Sequence, residues 1–428
     1  MGRFRHPLVA LALVVALTLP WVVLRSVGVV TSLSTMAIIA TSGVAVLGAA
    51  FVLTWAAETA ETDVPRAFAL AVLAVIAVAP EYAVDALYAW EAGAAPGTPA
   101  SETAANLAVA NMTGANRILI GLGWAGIALY AIHRATRSGG DAVVNREGFL
   151  ADAVELEPRI SIEIVFLAIA TVYAFVIPLN GGIDVIDAAF LVGLYVVYIY
   201  VIFQGEAGEE VHLGVPGYFQ KLTRPRRVGA ILIMFAYSAI VILIAVKPFA
   251  KGLEVLGPRL GVSSFFMIQW VAPLASESPE FIATAYLVRK ARTTASFNAL
   301  ISSKLNQWTL LIGTLVLVYS LSLGYYDMLS FSQKQAGEIW LTAAQSFFAV
   351  TLLLNFEISI REALALLGLF LAQFYPAFQR YEGLLLYSAF YVVLGLGILV
   401  LRRRHLPRVA ASVRRYAFGT DAQSTMTD

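Results

Sequence analysis

Long apolar runs separated by short polar intervals make up almost the whole chain. A helix that crosses a bilayer needs about 20 mostly apolar residues. Such runs fall at about 7–30, 33–57, 66–92, 104–133, 160–178, 183–203, 228–250, 261–288, 295–322, 337–356, 359–377 and 382–401. The pattern predicts an all-α polytopic membrane protein with about 12 transmembrane helices. The longest polar intervals, about 134–159 and 204–227, are too short for a soluble domain. The first run follows a basic start, as a signal peptide would. It continues past Pro20 without a small-residue cleavage site, so it reads as a retained span.

Polar residues inside the runs break the pattern in a repeated way. AVIAVAPEYAVDALYA (74–89) and APLASESPEFIATAYL (272–287) both carry Pro-Glu-aromatic in mid-span, Pro80-Glu81-Tyr82 and Pro279-Glu280-Phe281. A second polar run follows each, LAVANMTGANRILIGLG (107–123) and ASFNALISSKLNQWTLLIG (295–313). Glu81 precedes Asn111 by 30 residues and Arg117 by 36, while Glu280 precedes Asn298 by 18 and Lys304 by 24. Both differences are 12, so one longer connector accounts for them and the register is shared. A charge near the bilayer centre costs roughly 2.5–3.5 kcal/mol on insertion scales, and proline interrupts the helix around it. Two such positions in matching register point to function.

Charge sets orientation. With the N-terminus inside, the predicted cytoplasmic segments hold 21 of the 29 lysines and arginines and the external ones 6. This bias predicts both termini in the cytoplasm. The Glu81 span then runs outward and the Glu280 span inward, so the repeats are inverted, as in many secondary transporters whose broken helices meet at the midplane. Glu81 and Glu280 are accordingly expected to approach each other there. The predicted organisation is an extra N-terminal span (1–32), a first half with repeat 1 (33–203), a cytoplasmic connector (204–227), a second half with repeat 2 (228–377), and an extra span with a basic tail (378–428).

Composition narrows the function. The chain is 59% hydrophobic and 13% charged, with net charge +1 and no cysteine, which excludes disulfides and thiolate metal sites. Its four histidines are far apart, against a histidine-built metal centre. Tyr326-Asp327 and Gly182-Ile183-Asp184 carry aspartates that an intramembrane protease would need, but both lie at span ends, and no zinc-protease or nucleotide-loop motif occurs. An enzyme is not expected, nor a nucleic-acid partner or a resident cofactor.

The paired motifs resemble the sodium/calcium exchanger-like family of the calcium/cation antiporter superfamily. That family carries Gly-Thr-Ser-x-Pro-Glu and Gly-Asn-x-x-Gly-Ser-Asn in each repeat. Here the counterparts are IAVAPE (76–81) with ANMTGAN (110–116), and ASESPE (275–280) with FNALISS (297–303). The resemblance implies a secondary-active antiporter of the cell membrane, moving Ca2+ or a related cation against Na+ or H+ by alternating access. Alternatives are a sodium/proton-type exchanger on this fold or a non-transporting derivative. Its partners would be inorganic cations, with Ca2+ or Na+ as cargo, and the lipid bilayer.

It also implies that Glu81 and Glu280 hold the cation, joined by Glu277, Asp85, Ser276, Asn298, Ser302 and Asn306. Ala77 and Val78 replace the family's hydroxyl residues, and Ala115 and Leu119 stand where Ser302 and Asn306 stand in the second repeat. The half-sites are therefore unequal, and truncating Ser302 or Asn306 is expected to weaken binding. Asn298, Ser302 and Asn306 share one helical face. Arg117 and Lys304 are candidate charge partners of the site. Helical phase turns them away from that face, to snorkel toward the interface or pair with another span, whereas local unwinding would bring them to Glu81, Glu280, Asp85 or Glu277. Glu163 and Asp187, in the first turns of their spans, are expected to reach the interface, so that replacing Glu163 leaves most exchange intact. Gln345 and Gln373 read as interhelical hydrogen-bonders.

Overall fold

The computed structural model describes residues 6–60, 63, 78–138, 143–144, 146–204 and 214–418. Helices occupy the predicted spans. The first is α1 (Pro7–Ser26), opened by Pro7 and by the His6 ring, which accepts from the Leu8 amide. Then come α2 (Thr35–Ala60), α3 (Ala79–Ala94) and α4 (Pro99–Ile118). A π-helical stretch, Leu119–Trp124, joins α4 to α5 (Ala125–Ser138). The first half closes with α6 (Ser161–Ala174) and α7 (Val185–Gln204). Residues 66–77 of the third predicted span, Ala77 included, lie outside the described residues.

A short helix, α8 (Gly214–Phe219), leads into the long α9 (Arg224–Arg259). A π-helical stretch, Met267–Val271, precedes α10 (Ala272–Arg289), and another, Gln307–Leu311, joins α11 (Thr293–Asn306) to α12 (Ile312–Leu323). The chain continues through α13 (Gln333–Leu352), α14 (Ile360–Ala372) and α15 (Tyr381–Arg402) to α16 (Leu406–Phe418). Helix α14 starts at a capping box between Ser359 and Glu362. At 13 residues it is only about 20 Å long, short of a bilayer core. Residues 373–380 cover the rest, so the run predicted at 359–377 is a helix over only part of its length.

Eight helical stretches among the described residues are long and apolar enough to cross a membrane, and the protein is integral to it. Small residues set the tightest packing. Ala45, Ala49 and Ala56 of α2 are fully buried, and α2 packs along α9 more extensively than any other described pair. Close backbone approach of this kind is how helices associate in lipid, where burial of apolar surface drives nothing.

Five short strands, absent from the sequence-based expectation, tie the interhelical loops together. They are β1 (Val143–Val144), β2 (Ala153–Glu155), β3 (Gly182–Ile183), β4 (Leu329–Ser330) and β5 (Glu357–Ser359). One sheet runs β1-β2-β5 and the other pairs β3 with β4, all antiparallel. Segments that the charge pattern assigned to one face thus meet each other. Ion pairs follow the same division. At the β1-β2-β5 end Arg146 meets Glu357 at 2.7 Å and Arg402 meets Glu362. Arg227 grips Asp63 with bonds of 2.5 and 2.6 Å and holds its carboxyl below the usual carboxylate range. At the other end Glu91 binds Lys251 at 2.7 Å and Lys247 at 3.3 Å.

Candidate functional site

Proline places the acidic groups. Pro80 stands in the first turn of α3, just ahead of Glu81, while Pro279 lies inside α10 beside Glu280. Without an amide proton, Pro279 leaves the carbonyl of Ala275 without its intrahelical donor. Glu81 and Glu277 are buried and Glu280 half-buried. Glu81 lies near the Ser276 hydroxyl and within charge reach of Glu280 and Asp85. Glu277 lies within charge reach of Glu81 and Glu280. Carboxylates from the two inverted halves thus form one buried group.

The next helix, α11, completes it. Ser303 donates to Glu280 at 2.9 Å, and at the α11 junction Gln307 donates to Glu277 at 2.5 Å. One oxygen of Glu277 and the amide oxygen of Gln307 have no hydrogen-bond partner. Asp85, one turn beyond Glu81, accepts from Asn111 at 2.9 Å, and its other oxygen is also unpartnered. Buried oxygens of carboxylate and amide type are the ligands a hard cation takes.

Ser302 and Asn306 hydrogen-bond to tyrosines. Ser302 bonds to Tyr198 at 3.1 Å, while Asn306 accepts from Tyr82 at 2.8 Å and donates to Tyr195 at 3.1 Å. These residues face the tyrosines of α7; the polar face turned to the carboxylates is Ser303–Gln307, one residue on. The side-chain oxygen of Asn298 has no hydrogen-bond partner.

The two basic residues part company. Lys304 is fully buried, donates to Asn116 of the first repeat at 3.0 Å, lies 4.7 Å over the Trp308 ring, and is within charge reach of Glu277. Arg117 turns to α13, where it meets Glu338 at 2.5 Å. It also donates to Gln373 at 3.2 Å and stacks 4.8 Å from the Trp270 ring, while Gln269 donates to Glu338 at 3.0 Å. Arg117 therefore pairs with another span and not with Glu81, Glu280, Asp85 or Glu277. Gln373 also bridges to Gln345 and Tyr391, an interhelical hydrogen-bonder as expected. Glu163 and Asp187 are both buried within the protein.

Sequence reasoning missed Ser303, Gln307, Asn116, Glu338 and the role of Tyr82, Tyr195 and Tyr198 as partners. A signal for two of them was present. Asn116 lies 35 residues after Glu81 and Ser303 lies 23 after Glu280, the same offset of 12 that aligns the repeats.

Inverted halves, proline-interrupted helices and carboxylates meeting between them are the architecture of a secondary cation transporter. Comparison with known proteins gives the lineage. The sodium/calcium exchanger protein family matches residues 33–204 and 230–399. A crystal structure of the H+/Ca2+ exchanger CAX is 41% identical, with a TM-score of 0.87 over 97% of this chain and 99% of that one. The Ca2+/H+ antiporter YfkE is 13% identical with a TM-score of 0.54, over 90% of this chain and 100% of that one. The sodium-calcium exchanger NCX_Mj is 13% identical with a TM-score of 0.50, over 79% and 97%. These two share the fold. No curated protein matches. The chain belongs to the sodium/calcium exchanger family and is a cation antiporter.

Proposed function

We propose that the chain exchanges Ca2+ for protons across the cell membrane, with both termini in the cytoplasm. The observation that carries this reading is the buried group Glu81, Glu277 and Glu280, with Ser303 and Gln307 on its carboxylates. Carboxylates this close do not all ionise together unless a cation neutralises them. Ca2+ takes six to eight oxygens and binds the ionised forms, so its arrival releases protons and reprotonation expels it. Occupancy by one excludes the other, which is the condition for exchange rather than leak. Glu81 and Glu280, one from each repeat, would hold the ion jointly. Glu277, the Ala275 carbonyl and the Gln307 amide oxygen would add ligands, and the Lys304 ammonium would offset part of the negative charge.

Protons suit this site better than sodium as the counter-ion. A sodium-coupled site needs further neutral oxygens from both repeats, and the first repeat offers buried Val78, Ala115 and Leu119 at those positions. The 41%-identical structure is of an H+/Ca2+ exchanger, which agrees. The test is flux in proteoliposomes containing a pH-sensitive dye. A Ca2+ gradient should drive counter-movement of protons with sodium absent, and Glu280→Gln should abolish it. Ca2+ uptake driven by a sodium gradient, and not by a pH gradient, would overturn the reading.

A further inference from the structure

Glu163 is a buried carboxyl that the exchange chemistry above leaves unused. It stands in the first turn of α6, at the end of the protein that bears the β1-β2-β5 sheet. Only 3% of it is exposed, and its Oε2 has no hydrogen-bond partner. The Tyr198 ring packs against Phe166, one turn further along α6, with centroids 5.4 Å apart; its hydroxyl lies within charge reach of Glu163, and Arg159, one turn before, bears on the same carboxyl. No other titratable group acts on it among the described residues. A buried carboxyl with an unpartnered oxygen is an expensive way to fill space, and a leucine or glutamine would pack there more cheaply.

Its surroundings lead inward. The Tyr198 hydroxyl also bonds Ser302 at 3.1 Å. One turn deeper on α11, Asn306 holds the hydroxyls of Tyr195 and Tyr82 on either side of it, and Tyr82 adjoins Glu81. The rings of Tyr195 and Tyr198 lie 5.8 Å apart, so α7 carries two hydroxyls in succession along this lane. Every group in it is a neutral hydroxyl or amide apart from Glu163 itself, which suits a proton and offers poor terms to a divalent ion.

We infer that Glu163 is the proton-exchange residue of this antiporter, passing protons between the aqueous phase at the sheet-bearing end and the site through Tyr198 and Ser302. This rests on the Ca2+/H+ reading and reverses the expectation that Glu163 is dispensable. A proton leaving Glu163 goes to the Tyr198 oxygen as Tyr198 gives its own to Ser302; only O–H bonds break and form, and nothing is oxidised. Crossing the turn from Ser302 to the hydroxyls of Tyr195 and Tyr82 requires a bridging water. The reverse passage restores the starting state.

The test separates net exchange from isotope exchange in proteoliposomes. Proton-driven Ca2+ uptake needs net proton movement; exchange of 45Ca2+ for unlabelled Ca2+ at equal pH does not. Glu163→Gln should slow proton-driven uptake at least tenfold and leave isotope exchange within twofold of wild type. Tyr198→Phe, which keeps the ring and removes only the hydroxyl, should show the same split. Equal loss of both activities in both variants would mean a structural role and overturn the inference, as would unchanged proton-driven uptake. Wild-type protein coupled to sodium and not to protons would instead remove the reading on which the inference rests.

Discussion

Glutamine at position 338 would keep the shape of the side chain and remove one charge from a pair sealed inside the bundle. Arg117 and Glu338 are each 1% exposed and meet at 2.5 Å. Breaking a buried pair by deleting one partner costs about 3–5 kcal/mol, because the remaining charge is stranded. The neighbouring hydrogen bonds from Arg117 to Gln373 and from Gln269 to Glu338 matter less, since interhelical side-chain bonds in membranes average about 0.6 kcal/mol. Glu338→Gln should therefore shift the unfolding equilibrium by about a hundredfold to a few thousandfold. The stranded charge and not the lost hydrogen bond sets that figure. Equilibrium unfolding in mixed micelles measures it. The double substitution Arg117→Met with Glu338→Leu should recover to within about 1 kcal/mol of wild type, as apolar replacement of buried pairs does. The half-saturating Ca2+ concentration of folded protein should not change, because neither group touches the site carboxylates. A cost below about 1 kcal/mol for Glu338→Gln, or a double variant no better than the single, would refute the reasoning.

Three further outcomes are expected. Ser303→Ala removes a hydrogen bond to an ionisable partner, worth about 1.5–3 kcal/mol, so it should raise the half-saturating Ca2+ concentration about tenfold or more, with Ser302→Ala changing it much less; equal effects would contradict the placement of the two serines. A Cβ at Gly114 would lie 1.7 Å from the backbone oxygen of Gln269, so Gly114→Ala must push α4 away from the π-helical stretch before α10 and should cost about 1–3 kcal/mol in the same unfolding measurement. Because Arg227 depresses the Asp63 carboxyl, their contact stabilises the fold fully above the ordinary aspartate value of about 3.9 and loses that contribution as pH falls through the lower folded value; Arg227→Gln should flatten the acid limb of a stability profile, and an unchanged limb would count against it.

The spans were legible because apolarity over 20 residues does not depend on helical phase. The inverted repeats were legible because proline and glutamate in paired register are costly in lipid and do not accumulate by chance. Phase itself was not legible. Asn298, Ser302 and Asn306 form a polar face as convincing as Ser303 and Gln307, and only the tyrosines of α7 decide between them. Tyr195 and Tyr198 look in sequence like interfacial or packing residues, yet each bonds a polar group of α11. Glu163 misled for a related reason: a helix end usually meets water, but α16 packs against α6. The partner of Arg117 lies 221 residues away, beyond the reach of any local pattern.

The two small sheets constrain how such a protein can work. Each joins the halves: β2 of the first pairs with β5 of the second at one end, and β3 of the first with β4 of the second at the other. Backbone ladders therefore tie the two halves to each other at both ends of the bundle. Helices α2 and α9 carry no strand. They lie along each other, clamped at one end by Arg227 and Asp63, and reach the rest of the molecule at the other through Lys247 and Lys251 on Glu91. Exposed ion pairs of that kind are worth about 1 kcal/mol or less and reform as readily as they break. Among the contacts that fasten this helix pair to the rest of the molecule, those between lysine and glutamate are therefore the cheapest to break.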